Sequence, residues 1–243
     1  MINKNSPIPI YYQIEEEIQS MIESGILKSG DLLPSEREIA EKYNISRMTV
    51  RQAINNLVNK GLIYRKRGKG SFITGRKLEH DLSGLTSFTE DMAQHGKKPS
   101  NLIISIKTIT DDAFISSKLK TDIKDEIYKF KRLRKADDEP IALETVFTPK
   151  KLVGTLNHSD ILVSFYQFLE KKLNMKIDYG KQTIEASLAN QEEIKYLNIK
   201  KGDPILLMRR ISFLKDKKNT PIEYVKSAYR ADKYKFNMKI KRK

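Results

Sequence analysis

A chain of 243 residues with 39% hydrophobic content is long enough for two ordinary domains, each with its own core, and too apolar to be disordered. Its formal net charge of +15 calls for an anionic partner: nucleic acid, an acidic lipid surface or a phosphorylated ligand. There is no Cys, three scattered His (His80, His95, His158) lack metal-ligand spacing, and no apolar run approaches the roughly 20 residues of a membrane span, so the sequence reads as a cytosolic protein without disulfides, metal, cofactor or catalytic nucleophile.

Ile10, Ile14, Ile18 and Met21/Ile22 recur at helical spacing behind Pro9, and Gly25 supplies a stop. Glu15, Glu16 and Glu17 are expected mostly outside this first helix. A second helix opens at Ser35, which forms a capping box with Glu38; Ile39, Ala40 and Tyr43 give its apolar face. After only Asn44 and Ile45, Ser46 caps a third helix with the stripe Val50, Ile54, Leu57 and Val58, ending near Lys60 and Gly61. Two helices joined by so short a turn must cross steeply, which is helix-turn-helix geometry. Leu62 to Lys66 and Ser71 to Thr74 then read as two strands around Arg67-Gly68-Lys69-Gly70, where two glycines permit a tight turn.

From Arg47 to Lys77 there are nine basic residues and not one Asp or Glu. Three helices and a basic hairpin make a winged helix, whose third helix enters the major groove by its N-terminal end. Arg47, Thr49, Arg51 and Gln52 lie off the apolar stripe and can reach bases or phosphates, while Lys69 and Gly70 track the backbone or minor groove. A merely solvated basic surface would explain the charge but not the agreement of caps, turn length, stripe and hairpin. A membrane-surface helix fails too, because its apolar residues are needed to close the three-helix core.

Residues 7 to 74, with LPSEREIAEKYNISRMTVRQAINNLVNKGLI and the wing RGKGSF, resemble the DNA-binding domain of GntR-type bacterial transcription regulators. The resemblance implies DNA contacts from Arg37, Arg47, Thr49, Arg51, Lys69 and Gly70, with Ser46 and Gln52 beside them.

Gly75 to Gly84 lacks apolar periodicity and reads as a connection, which divides the chain into 1–74, a linker over 75–84 and a second domain over 85–243. Strand-like runs follow (LIISIKTI, IYKFKRLRK, IALETVFT, QTIEASLA, PILLMRRISFL, PIEYVKSAYR) with a helical DILVSFYQFLEKKL among them, so an α+β domain with a mainly antiparallel sheet is expected. A faint repeat links IYKFKRLRKADDEPIALETVF to ILLMRRISFLKDKKNTPIEYVKSAY: two hairpins of one design that could lie side by side in one sheet.

Several features could converge on a phosphorylated ligand. Arg132 and Arg134, two apart on a strand, project from one face and suit a dianion. Ser87 with Glu90 opens a helix from Phe88 to about Gln94, and Ser164 with Gln167 opens another along Phe165, Phe168, Leu169 and Leu173; helix N-termini attract anions. Glu144, Glu223, Tyr166 and Tyr229 are candidates for the rest of the ligand. Against this, capping boxes mostly just start helices, strand arginines are mostly exposed or paired, and Tyr166 suits a core equally well.

This half resembles the effector-binding (UTRA) domain of the HutC subgroup of GntR regulators, of chorismate-lyase-like architecture. The runs GLTSFTEDMAQHGKKPS, RLRKADDEPIALE and PIEYVKSAYRADKYKF are similar to those of the subgroup's repressors of N-acetylglucosamine utilisation. What the resemblance implies is an amino-sugar phosphate effector, N-acetylglucosamine-6-phosphate or glucosamine-6-phosphate. Its phosphate would be held by Phe88, Thr89, Arg132, Arg134, Ser164 and Tyr166, and its sugar by Glu144, Glu223 and Tyr229. A homodimer on a palindromic operator is expected with it. Two other readings stand beside this one: the same architecture answering a different phosphorylated sugar or organic acid, and an enzyme of lyase-like fold, for which no nucleophile and base pair stands out.

Overall fold

In the computed structural model, which describes residues 2–66, 68–74, 77–216 and 219–242, helix α1 (Ile10–Glu23) starts directly behind Pro9. Helix α2 (Glu36–Tyr43) has the full Ser35/Glu38 capping box, and Asn44 ends it in the left-handed region at φ 49°. That single residue reverses the chain, so Ser46 can cap α3 (Arg47–Asn59) two positions later. Ile14, Ile18, Leu33, Ile39, Val50, Ile54 and Leu57 close the core. Leu57 is fully buried, so Leu57→Ala is expected to cost about 2–5 kcal/mol, read as a lower urea midpoint for the helical transition by circular dichroism.

Glu15 departs from expectation. It is buried rather than outside: Asn56 Nδ2 and Lys60 Nζ donate to its two oxygens at 2.6 and 2.7 Å, so the end of α3 compensates a carboxylate drawn inward beside Ile14. Strands β1 (Ile63–Lys66) and β2 (Gly70–Ile73) form the antiparallel hairpin, with residues 31–33 laid along β2 through the bonds from Leu33 N to Ser71 O (2.8 Å) and from Ile73 N to Asp31 O (2.9 Å). Gly70 has φ 105°, a conformation that favours glycine, and a Cβ there would meet the mobile end of the exposed Leu32 side chain at 2.8 Å.

The chain divides into two compact units, 1–77 and 78–243. The stretch expected as linker, 75–84, is therefore not a free connection: Leu78–Asp81 is a strand, β3. Its period-two pattern went unread because the second inward position is a histidine, His80. Helix α4 (Phe88–Gln94) follows with its Ser87/Glu90 box complete, then β4 (Pro99–Ile109), α5 (Ala113–Leu119), β5 (Ile127–Ala136) and β6 (Glu139–Pro149). Short helices α6 (Lys150–Val153), α7 (His158–Leu162) and α8 (Phe165–Gln167) lead to β7 (Ile177–Leu188), α9 (Gln191–Leu197), β8 (Pro204–Leu214), β9 (Pro221–Arg230) and β10 (Tyr234–Asn237).

Six strands make one antiparallel sheet in the order β4-β5-β6-β9-β8-β7, while β3 and β10 pair in parallel beside it. The two repeated hairpins, β5–β6 and β8–β9, lie side by side with β6 against β9. On one sheet face Phe130, Val146 and Val225 pack under Ile161, Phe165 and Leu169, and Ala142 and Met208 pack under Phe88 and Met92 of α4. On the other, α5 covers Phe147 and Tyr224, and α9 covers Leu133, Leu143 and Ala228. Neither α5 nor α9 was expected, although both carry a starting signal, Asp112 bonded to Ile115 N and an Asn190/Glu193 box. The Ser164/Gln167 box is only half formed: Ser164 Oγ accepts from Gln167 N, and the helix passes after three residues into a π-helical turn, Phe168–Lys172. That wider turn keeps both Phe168 and Leu169 in the core.

Candidate nucleic-acid interface and ligand pocket

In the first unit an open cleft of about 850 Å³ lies between α3 and the wing, and Arg37, Arg47, Arg51, Lys69 and Gly70 all line it. Glu36 also lines it, 2.9 Å from Arg51 Nε and 3.1 Å from Arg65 Nη2, and so ties the third helix to the first wing strand. Arg37 is paired with Glu41 at 2.7 Å. These exposed pairs are weak and readily exchanged for phosphates. No ion pair engages Arg47 or Lys69 among the described residues. Ser46 and Thr49 are occupied with the cap: Ser46 Oγ accepts from Thr49 N at 3.1 Å and lies 2.8 Å from its hydroxyl. Gln52 is exposed on α3 outside the cleft lining. Arg65 and Lys66 line the cleft as well; their place in the basic run was visible in the sequence, their shared wall with α3 was not.

In the second unit the strand register gathers the expected ligand residues. Arg132 pairs with Glu144, Glu144 with Ser227, Arg134 with Ala142 and Ala142 with Tyr229, so these side chains and Glu223 share one sheet face. The Arg pair is not symmetric. Arg132 is buried and committed: Nε and Nη2 both donate to Glu144 Oε1, the former at 3.0 Å, and Nη1 donates to Ile161 O at 2.7 Å. Burial works against the Glu144 carboxylate, but Arg132 and Arg134 outweigh it and hold the group down at about 2. Arg134 is equally buried, lies 4.5 Å over the Phe88 ring at the start of α4, and has no hydrogen-bond partner for Nε or Nη1. Burial, with Arg132 beside it, pulls its pKa down to about 10.

Thr89 Oγ1 donates to Val163 O at 3.2 Å, just ahead of the buried Ser164, and Asn101 Nδ2 donates to the same carbonyl at 3.0 Å. The start of α4, the stretch 161–164 and the two arginines thus meet. Tyr166 is core and site residue together: its ring packs in the apolar cluster while its hydroxyl donates to Glu223 Oε1 at 2.8 Å. Ser212 Oγ donates to the same oxygen at 2.8 Å, and burial raises the Glu223 pKa. Tyr229 stacks on Tyr234 with ring centroids 4.5 Å apart.

Sequence reasoning missed Arg210, Ser212 and Ser227 on this face. The signal for Arg210 was the second hairpin's Arg209-Arg210, where adjacency puts only one of the two inside. It also missed a latch behind α4. Asp91 accepts from Tyr234 Oη and lies 3.1 Å from His80 Nδ1. His95 Nε2 accepts from Glu79 N at 3.3 Å, which leaves Nδ1 protonated to donate to Asp91 O at 2.7 Å. His80 and His95, far apart in the sequence, therefore meet at one residue of α4. Among the described residues no group of three metal-ligating side chains is assembled, and no helix is long and apolar enough to cross a membrane.

Two family models match the chain: bacterial regulatory proteins of the gntR family over residues 10–73, and the UTRA domain over residues 94–235. The HTH-type transcriptional repressor NagR of Bacillus subtilis is 45% identical over 235 residues, covering 97% of this chain and 96% of that protein. The mannosyl-D-glycerate transport/metabolism system repressor MngR of Escherichia coli is 31% identical and covers 97% of each. The crystal structure of PhnF from Mycobacterium smegmatis aligns with a TM-score of 0.66 at 26% identity, over 95% of this chain and all of the other.

Proposed function

The chain belongs to the gntR family of bacterial regulatory proteins, with a UTRA domain C-terminal to its DNA-binding unit, and on that footing we propose that it represses genes of N-acetylglucosamine uptake and catabolism under the control of an amino-sugar phosphate. Its family is one of DNA-binding regulators, not of enzymes. The observation that carries the effector reading is Arg134: a buried guanidinium with two unpartnered nitrogens, set over the first residue of α4 and beside a charge-balanced Arg132–Glu144 pair. An unpaired buried cation is costly unless an anion completes it. A phosphate there takes the Arg134 donors and the free amides of the first turn of α4 together.

In this reading the protein is a homodimer on a palindromic operator, each winged helix taking one half-site through the cleft of Arg37, Arg47, Arg51 and Lys69. The effector changes operator affinity because α4 has two attachments. Its N-terminal end holds the ligand, and its Asp91 and His95 are fastened to β3, the first strand after the DNA-binding unit. Asp91→Asn is expected to keep sugar-phosphate binding within a few-fold while reducing the effector's influence on operator affinity, a coupling of about 1–3 kcal/mol. Fluorescence anisotropy on labelled operator, with and without ligand, measures it.

The direct test is calorimetric titration of the full chain with N-acetylglucosamine-6-phosphate and with unphosphorylated N-acetylglucosamine. Saturable binding of the first and none of the second is the expected result. Silence from both overturns the effector assignment and leaves the DNA-binding half standing.

A further inference from the structure

Beyond the phosphate residues, the second unit has a cleft of about 390 Å³ that none of the expected ligand residues lines. Its walls are His80 of β3, residues 82–85 ahead of α4, and Asp178, Tyr179, Gly180 and Gln182 of the edge strand β7; Arg210 of β8 also lines it. The volume falls in the range of small-molecule sites. Arg210 is held in place by three things. Its guanidinium lies 5.5 Å over the Tyr166 ring and 3.9 Å from Glu223 Oε1, and Gly180 leaves room for its stem. A Cβ on Gly180 would sit 3.2 Å from Arg210 Cδ and 3.3 Å from Leu85 Cδ1. Gly180 does not occupy the left-handed region, so the glycine serves space and not backbone conformation. Arg210 Nε, buried, has no hydrogen-bond partner.

We infer that the cleft over Arg210 and Gly180 is a second ligand subsite, which takes an uncharged oxygen acceptor borne by the sugar phosphate, such as the carbonyl of an N-acyl group. The inference rests on the sugar-phosphate reading and names which sugar phosphates the pocket prefers. Charge balance decides the chemistry. Arg132 is matched by Glu144 and Arg210 by Glu223, whereas no ion pair engages Arg134 among the described residues. The anion therefore belongs at Arg134. At Arg210 the Glu223 carboxylate lies within ion-pair distance but accepts no hydrogen bond from it, and the buried Nε–H is a donor that a neutral carbonyl satisfies without adding charge to the site. A free amine, cationic at neutral pH, would face the Arg210 guanidinium; the carboxylate in the cleft wall, Asp178, is exposed to water, and Glu223 Oε1 already accepts from Tyr166 and Ser212.

Calorimetry with the full chain and three probes tests this: N-acetylglucosamine-6-phosphate, glucosamine-6-phosphate and inorganic phosphate. The parent protein should bind the acylated sugar more tightly than the free amine by about tenfold or more, as expected for one buried hydrogen bond to a charged group. Arg210→Lys, which keeps the charge and loses Nε, should bring the two sugars to near equality and leave inorganic phosphate unchanged. Gly180→Ala retains Arg210 but displaces it, and should act in the same direction, so a folding defect in the lysine variant does not decide the matter. Equal affinities for the two sugars in the parent, or a uniform loss for all three probes in both variants, overturns the subsite while leaving the effector reading intact. Failure of the parent to bind either sugar phosphate overturns both.

Discussion

Replacing Arg134 by methionine is expected to make the protein more stable and blind to its effector at once. Methionine fills similar volume without the two buried nitrogens that lack partners in Arg134. Replacing buried ion pairs by apolar side chains is neutral or stabilising by about 1–4 kcal/mol, and here the relief of the desolvated Arg134 is set against the loss of its attraction for Glu144. Removing a desolvated, charge-assisted bond to a phosphate costs about 2–5 kcal/mol in binding, enough to abolish the response at ordinary ligand concentrations. The thermal midpoint should rise or hold, operator binding without ligand should stay at the parent level, and N-acetylglucosamine-6-phosphate should no longer alter it. The opposite pattern, a falling midpoint with ligand affinity unchanged, would make Arg134 a structural residue stacked on Phe88. Arg132→Met offers the contrast: it strands the buried Glu144 carboxylate and should destabilise the domain by about 3–5 kcal/mol, so the two neighbouring arginines separate by the sign of their effect on stability.

That separation was not legible in the sequence, and the reason is general to this site. The RLR spacing places both guanidiniums on one face of β5, but which one is neutralised depends on the register that sets Arg132 against Glu144. Register between distant strands leaves no local trace in a single chain. The winged helix was legible almost to the residue, because each of its devices is local: the Ser35/Glu38 box, the left-handed Asn44, the Ser46 cap and the glycine-flanked wing act within five positions. The short pair β3 and β10 was not visible, while the six strands of the large sheet were, by the same rule. Their order was not, beyond the hint from the hairpin repeat, since β6 meets β9 across more than seventy residues of intervening chain. Glu15 and β3 were lost for a shared reason: a polar residue stood in a buried slot, Glu15 bonded to Asn56 and Lys60 and His80 set 3.1 Å from Asp91.

At the opposite end of the chain, Arg51→Ala should weaken operator binding without touching the effector. Arg51 leaves the outer face of α3 beside the wing, exposed and held toward the cleft by Glu36. A single arginine bonded to a base or phosphate is worth about 1–3 kcal/mol. In the proposed two-fold dimer each substitution acts at both half-sites, so the expected weakening is about 2–6 kcal/mol in total. Salt dependence then tells how Arg51 reads DNA. If it meets a phosphate, the slope of log affinity against log salt should fall by about 0.9 for each phosphate no longer neutralised, with all operator sequences weakened alike. If it meets a base edge, the slope should hold and discrimination between operator and random DNA should collapse. Glu36→Gln gives the complementary result, because removing the carboxylate frees both Arg51 and Arg65 and lowers repulsion toward DNA; affinity for any duplex should rise while preference for the operator falls. Unchanged specificity in the Glu36 variant would show that the carboxylate does not set the direction of the two arginines, and that the cap and stripe of α3 position Arg51 on their own.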